Sequence, residues 1–399
     1  MTTFAPRTAD EVTDALRWAL AAGEAFEVVA AGTKRALGRP VEAPHRLDTS
    51  ALSGIVSYEP SELVLTVRAG TPMQEIEAAL AERSQCLAFE PPDYSALLGA
   101  SRSAGTIGGV VAAGISGPRR MKAGAVRDHV LGMTAVSGRG EAFVAGGKVV
   151  KNVTGYDLPK LMTGSYGTLA VLTEITLKVL PASEDARTLI VHGLDTRSAV
   201  SVMIEVLQLP LEVSGACHFL PESGVEARTA FRLEGFTPSV AFRLDELTRR
   251  LGQRGSVRTL ERDESVEFWR RVRDLQALAP THGAVSSGER MVWRVSVPPA
   301  ASADVLERIE RSVPDARAFL DWGGALIWVH AASADTAVIR AALGNTGGHV
   351  TLMRAPAEVR SNTEVFQPQA EALAALSRRV KAQFDPQRVL NPGRMYAGC

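Results

Sequence analysis

Apolar residues along this chain recur at two spacings, helical and alternating, and the two take turns. Val12, Leu16 and Leu20 share a helical face behind Thr8-x-x-Glu11, the pattern of a capping box. Residues 27–30 read as a short strand. Leu63, Leu65 and Val67 alternate with Val64, Thr66 and Arg68, as strand residues do. A second helix opens at Thr71-Pro72, with Thr71 as cap, Pro72 at the first helical position, and Met73, Ile76 and Leu80 as its stripe. Glycine is then concentrated between Gly99 and Gly167, and residues 103–109 read as a turn. A strand of Ile175, Leu177 and Val179 closes this half, and the polar Ser183-Glu184-Asp185 after Pro181 marks a boundary.

The second half has a different texture. Strands are predicted over 188–191, 227–233, 291–297, 325–330 and 349–353, with helices over 241–251, 266–278 and 304–313. That mixture predicts one sheet with helices on a face. A last helix carries Leu373, Leu376 and Val380 on one side, ahead of Phe384-Asp385-Pro386 and Asn391-Pro392-Gly393.

Composition narrows the function classes. At 399 residues, 46% hydrophobic and 22% charged, the chain has the make-up of a globular protein of two domains. Its 44 basic and 44 acidic side chains cancel, so no global field draws in nucleic acid or an anionic membrane. The first residues carry no apolar core of a secretory signal, and no apolar run is long enough to span a bilayer. Cys86, Cys217 and Cys399 are too scattered for an iron–sulfur or zinc site. These features together predict a cytoplasmic protein with reduced thiols.

Glycine-rich turns let a main chain approach a diphosphate closely. Ala30-Ala31-Gly32-Thr33-Lys34 follows a strand and suits that role, although a tight turn with an exposed lysine has the same pattern. Neither a G-x-G-x-x-G fingerprint between strand and helix nor a Gly-Lys-Ser/Thr loop is present, which disfavours nicotinamide-dinucleotide and ATP enzymes of the usual kind.

The order of the remaining signals carries a resemblance. After the first loop come Gly105-Thr106-Ile107-Gly108-Gly109, Gly138-x-Gly140, residues 151–158 (Lys-Asn-Val-Thr-Gly-Tyr-Asp-Leu) and Gly164-Ser165-x-Gly167-Thr168-Leu169. This series resembles the FAD-binding domain of the vanillyl-alcohol-oxidase family, in the branch of glycolate and D-lactate dehydrogenases. Phe268-Trp269-x-x-x-Arg273, Trp293-Arg294, Asp321-Trp322-Gly323-Gly324, Gly348-His349-x-Thr351 and Val365-Phe366-x-Pro368 are similar to the E subunits of glycolate oxidase, over essentially the whole chain. The implied fold is α+β: a two-subdomain PCMH-type FAD-binding domain over 1–183, a smaller α+β cap over 184–358, and a C-terminal segment over 359–399 that returns to the flavin domain. The implied activity is oxidation of glycolate, a small 2-hydroxy acid, within a complex. A companion catalytic flavoprotein and an iron–sulfur subunit would be its partners, with peripheral association at the inner face of the cell membrane left open.

Carried over residue by residue, the resemblance implies that Ala31, Gly32, Thr33 and Lys34 wrap the pyrophosphate. Gly105, Thr106, Ile107, Gly108, Gly109, Ala113, Gly114, Ser116 and Gly117 would line the ribityl and phosphate path. Gly167, Leu169 and Val171 would approach the adenine, and Asn391 the flavin ring. Each of these is also what a structural turn would require.

The chain departs from its relatives in three places. The first loop reads Gly32-Thr33-Lys34-Arg35, without the histidine that bonds the flavin in covalent members, so FAD is expected to be noncovalent. The His-x-Gly-Asp-Gly-Asn-x-His metal motif of catalytic relatives is missing, and the seven histidines are scattered, so no metal site is expected. Tyr166 stands where glutamate is usual. Arg294, His330 and Arg354 are candidates for the cation and base that a hydroxy acid requires. Trp293, Trp322 and Trp328 suit either a pocket wall or core packing, and Trp269 and Trp322 are candidate docking anchors. Three functions stay open: the flavin-bearing subunit, a stand-alone FAD-dependent 2-hydroxy-acid dehydrogenase, and a non-catalytic assembly subunit.

Overall fold

Local capping sets the first element. The Thr8 hydroxyl accepts the Glu11 N–H at 3.2 Å, starting the Ala9–Ala22 helix, and Gly23 ends it at φ +69. Only half of the expected capping box forms, because the Glu11 carboxylate accepts the Arg7 N–H at 2.6 Å instead of that of Thr8. The buried side of this helix, Val12, Leu16 and Ala19, packs with Phe26, Leu47, Val136, Val171 and Leu390. The structure is a computed structural model that describes residues 2–100, 105–147, 155–222, 224–279, 290–332 and 335–398.

The chain divides into two units. The first comprises Met1–Ser116, Ala125–Ala182 and Ala357–Cys399; the second comprises Gly117–Gly124 and Ser183–Pro356. The excursion at Gly117–Gly124 has no mark in the sequence pattern.

The first unit holds two main sheets, matching a two-subdomain arrangement. Thr2–Phe4, His45–Asp48 and Phe26–Val29 lie side by side as a three-stranded parallel sheet. Ile55–Glu59, Val64–Arg68, Ala170–Lys178, Val130–Ser137 and Ala142–Gly146 form, in that order, a five-stranded antiparallel sheet. The apolar cluster around Leu16 fastens these sheets together, since Phe26 and Leu47 belong to one and Val136 and Val171 to the other. The C-terminal return adds to the small sheet: the Phe26 N–H donates to the Val389 carbonyl at 2.8 Å, and the Asn391 N–H to the Phe26 carbonyl at 3.0 Å.

The second unit is built on an eight-stranded antiparallel sheet. Its order is Val257–Leu260, Asp185–His192, Arg228–Gly235, Val213–Phe219, Arg317–Asp321, Leu326–Ala331, Met291–Ser296, His349–Arg354. Thr196–Gln208, Thr237–Leu251, Arg262–Arg273 and Ser302–Ser312 are its longer helices.

Several elements depart from the sequence reading, each for a local reason. Thr71 does not cap the Met73–Ala81 helix: its hydroxyl is fully buried and donates to the Arg68 carbonyl at 2.7 Å, leaving Pro72 at the cap. Leu63 falls outside its strand at φ +57. Of the turn expected over 103–109, residues 103 and 104 lie outside the described residues, and the rest leads into a helix from Ile107 to Ala113, started by the Thr106 hydroxyl accepting the Gly109 N–H at 3.3 Å. The helix expected over 266–278 runs from Arg262 to Arg273 and breaks where Leu275 takes φ +53. The Glu371–Phe384 helix turns Lys381 inward and leaves Leu373 and Leu376 exposed, at 51% and 47%, reversing the polarity the stripe implies.

Candidate functional site

Three loops and one helix of the first unit line an open cleft. The Phe26–Val29 strand delivers the first loop, where Gly32 turns the chain at φ +75. The Arg35 guanidinium holds the Glu27 carboxylate through two bonds of 2.7 Å, which pins the loop to the strand that feeds it. From the C-terminal return, Arg394 donates to the Lys34 carbonyl at 3.0 Å.

The Ile107–Ala113 helix forms the second wall. A Cβ on Gly108 would lie 2.7 Å from the Ala69 carbonyl oxygen, which accepts the Gly108 N–H at 2.8 Å. Only glycine allows that approach. Gly105 lies against Lys34 in the same manner, since a Cβ there would collide with the amine and come 2.6 Å from the Thr33 hydroxyl.

Asn391 joins two walls. Its Oδ1 accepts the Val28 N–H at 2.8 Å, and its Nδ2 donates to the carbonyls of Tyr166 at 2.9 Å and Gly167 at 3.3 Å. Gly167 must be small, for a Cβ on it would lie 2.9 Å from that same Nδ2. Tyr166 takes φ +55, a left-handed conformation, and sets its ring edge-on to Phe366 at 5.0 Å.

Of the positions expected to hold a cofactor, the cleft brings together Ala31, Gly32, Thr33, Lys34, Thr106, Gly108, Gly109, Ala113, Gly167, Val171 and Asn391. The others lie elsewhere. Gly105 backs Lys34, Ile107 is fully buried, Gly114 ends the helix at φ +65, and Leu169 is buried. The Ser116 hydroxyl accepts the Val126 N–H at 2.9 Å. Gly117 belongs to the second unit, where its carbonyl accepts Trp322 Nε1 at 3.1 Å. Residues 151–154 lie outside the described residues. The lining also includes Thr49, Ala69, Ala112, Tyr166, Leu172 and Arg394, which no loop motif marks.

The electrostatics of the cleft are one-sided. Among the described residues lining it are Lys34, Arg35 and Arg394, and no aspartate or glutamate. Burial lowers the Lys34 amine to about 8, with Asp93 acting in the opposite sense. Burial likewise lowers Arg394 to about 10, against the pull of Glu27 and Tyr166. Two cations held away from water, with no acidic side chain among the described lining residues, call for an anionic guest. Bare glycine backbone, an apolar side of Ala170, Val171 and Leu172, and two cations fit a dinucleotide with a diphosphate.

The second unit holds the candidate catalytic residues, in two separate places. His330 and Arg354 flank Val292 from its two neighbouring strands. Arg354 is buried, and its guanidinium donates to the carbonyls of Arg290, at 2.7 Å, and Leu278. Burial lowers His330 to about 4, assisted by Arg290, Arg354 and Arg317. Arg294 lies instead over the Trp322 ring, 5.0 Å from its centre. Trp293, Trp322 and Trp328 are all buried, and so is Trp269, whose Nε1 donates to the Thr188 hydroxyl at 2.8 Å. Burial therefore removes Trp269 and Trp322 as docking anchors. No group of three or more His, Cys, Asp or Glu that could hold a metal occurs among the described residues.

Comparison with known proteins agrees with this geometry. Residues 2–146 match the model of a family described as an FAD binding domain. The chain is 38% identical over 367 residues to glycolate oxidase subunit GlcE of Escherichia coli (strain K12), covering 92% of this chain and 91% of that protein. It is 25% identical over 430 residues to glycolate oxidase subunit GlcD of Bacillus subtilis (strain 168), covering 99% and 88%. Among solved structures, 4-ethylphenol oxidase from Gulosibacter chungangensis superposes with a TM-score of 0.72 over 99% of this chain and 89% of that one, at 13% identity, a likeness of fold.

Proposed function

The chain belongs to the glycolate oxidase E-subunit family of FAD-dependent oxidoreductases, and from that premise we propose that it is the FAD-carrying subunit of a complex oxidising glycolate to glyoxylate. Electrons would leave for a partner iron–sulfur subunit, and a companion flavoprotein would supply the catalytic base and carboxylate-binding cation. One observation carries this reading: a cleft lined by cations and glycine backbone, free of acids among its described residues, in a chain related to a glycolate oxidase subunit across both of its units.

FAD supplies a two-electron acceptor when bound. The residues of the chain do the holding. Lys34 and Arg394 balance the diphosphate charge, Gly108 and Gly109 bring bare backbone to the cleft wall, and Val171 and Leu172 shed water from the apolar side. Asn391 fixes the separation of the two walls by bonding to both. The cofactor is held noncovalently, a reading supported by the lack of histidine and cysteine among the described lining residues. No helix among the described residues is long and apolar enough to cross a membrane. We place the subunit in the cytoplasm, meeting the inner membrane face only through the complex.

The test is dye-coupled turnover with glycolate, for the isolated FAD-loaded chain and for the chain with its companion subunits. The isolated chain is expected to keep a flavin band but to turn over only in the complex. Equal turnover alone would make it a stand-alone 2-hydroxy-acid dehydrogenase. A chain purified without any flavin, and unable to take it up, would make it an assembly subunit.

A further inference from the structure

We propose that Lys34 is the proton-bearing counter-ion of the FAD diphosphate, so that cofactor binding and protonation of its amine are coupled; this rests on the cofactor reading of the cleft given above. The geometry singles out this residue among the three cations of the lining. Arg35 is engaged in a two-bond pair with Glu27, and Arg394 donates to the Lys34 main chain. Among the described residues the Lys34 amine has one hydrogen bond, a long one of 3.4 Å, to the neutral Thr33 hydroxyl. No carboxylate of the described residues lies within ion-pair distance of it. Gly105 makes room for the side chain: a Cβ there would collide with the amine itself.

Among the described residues, the charged and titratable groups around it are Asp93, Tyr166, Arg394, and Arg35 with its partner Glu27. Asp93 favours the ammonium, but burial outweighs it and lowers the amine to about 8. A bound diphosphate favours the ammonium strongly and raises that value. A group whose pKa rises on binding takes up a proton, and affinity is fully present below the lower pKa. Affinity is then lost by about tenfold per pH unit above it, until the raised pKa is reached.

The experiment is calorimetric titration of the cofactor-free full chain between about pH 6.5 and 9.5, in buffers of different ionisation enthalpy so that proton uptake is counted. FAD, ADP and riboflavin are the probes. FAD and ADP are expected to bind about tenfold more weakly at pH 9.5 than at pH 7.5, with up to one proton taken up, and riboflavin to show neither effect. Lys34→Arg should keep the affinity at pH 7.5 and flatten the profile. Lys34→Met should weaken FAD at pH 7.5 by about ten- to a hundredfold and also flatten it. Proton uptake that survives in Lys34→Met would overturn the proposal. Tight but pH-independent binding of FAD to the unmodified chain would overturn it while sparing the cofactor reading, whereas no FAD binding at any pH would sink both.

Discussion

Lys381 and Asp385 face each other one helical turn apart, Nζ to Oδ2 at 2.6 Å, in the interior of the first unit. The pair is the hub of the C-terminal return. Asp385 also accepts the N–H groups of Val389 and Leu390, both at 2.9 Å, and Lys381 donates to the carbonyls of Thr168, at 2.7 Å, and Leu390, at 3.2 Å. Those bonds hold residues 389–391 against Phe26 and so set Asn391 in the cofactor cleft. Removing one partner strands the other charge in a site away from water. Asp385→Ala is expected to destabilise the chain by about 3–5 kcal/mol and to weaken FAD retention, with Asp385→Asn milder in both. Denaturant unfolding midpoints and flavin content after gel filtration check this; an Asp385→Ala chain as stable as its parent would refute it.

Gly108→Val is expected to abolish FAD retention while preserving most of the secondary structure. The Gly108 N–H bonds to the Ala69 carbonyl, and a Cβ there has no room. The added side chain must push the Ile107–Ala113 helix away from Ala69 and distort the cleft wall beside Gly109. Flavin absorbance per chain, with circular dichroism as the control for folding, decides the matter. A full complement of FAD in the variant would mean that this helix does not line the cofactor.

FAD is expected to leave the protein intact on acid precipitation. The first loop presents Thr33, Lys34 and Arg35, and no histidine through which a flavin linkage could form. Yellow colour should appear in the supernatant, with the mass of unmodified FAD. Colour remaining on the washed pellet would contradict noncovalent binding, and Tyr166 would be the first residue to examine in a peptide digest.

Much of the first unit was legible because its signals are local. The Thr8 cap, the 3.6-residue stripe of Val12 and Leu16, and the alternation through Val67 depend on neighbours in sequence. The Ile107–Ala113 helix was illegible because glycine and alanine dominate it, and its formation depends on Thr106 as cap and Ala69 as acceptor, the second far away in sequence. Val213–Phe219 and Arg317–Asp321 escaped for the related reason that central strands take their stability from partners on both sides rather than from alternation. In the cleft, the glycine loops were marked by composition, but Thr49 and Ala69 reach it only through the fold. Arg394 did have a signal. It follows Asn391-Pro392-Gly393 directly, and a buried cation three residues past an anchoring asparagine could have been suspected there.

The second unit carries an acid-sensitive fastening at Glu234. Its carboxylate meets Arg119 at 2.6 and 3.0 Å, lies 3.3 Å from Arg232, and accepts from the Ser214 hydroxyl at 2.5 Å. Arg232 in turn lies over the Trp269 ring at 4.6 Å. Burial disfavours the charged carboxylate, yet Arg232 and Arg119 outweigh it and hold the group down at about 2. The sign follows from the depressed value. Stability from this site is fully present above the unfolded carboxylate range and is lost as pH falls from about 4.5 toward 2. A shift of that size corresponds to something on the order of 3 kcal/mol. Glu234→Gln keeps the shape but cannot titrate, so it should be less stable at neutral pH and should flatten the acid limb between pH 4.5 and 2. Because Arg119 sits in the Gly117–Gly124 excursion, the same substitution should loosen that segment, read as faster amide exchange from residues 117–124. An acid limb of unchanged slope in Glu234→Gln would show that other carboxylates govern acid unfolding and that the Arg119 anchor contributes little.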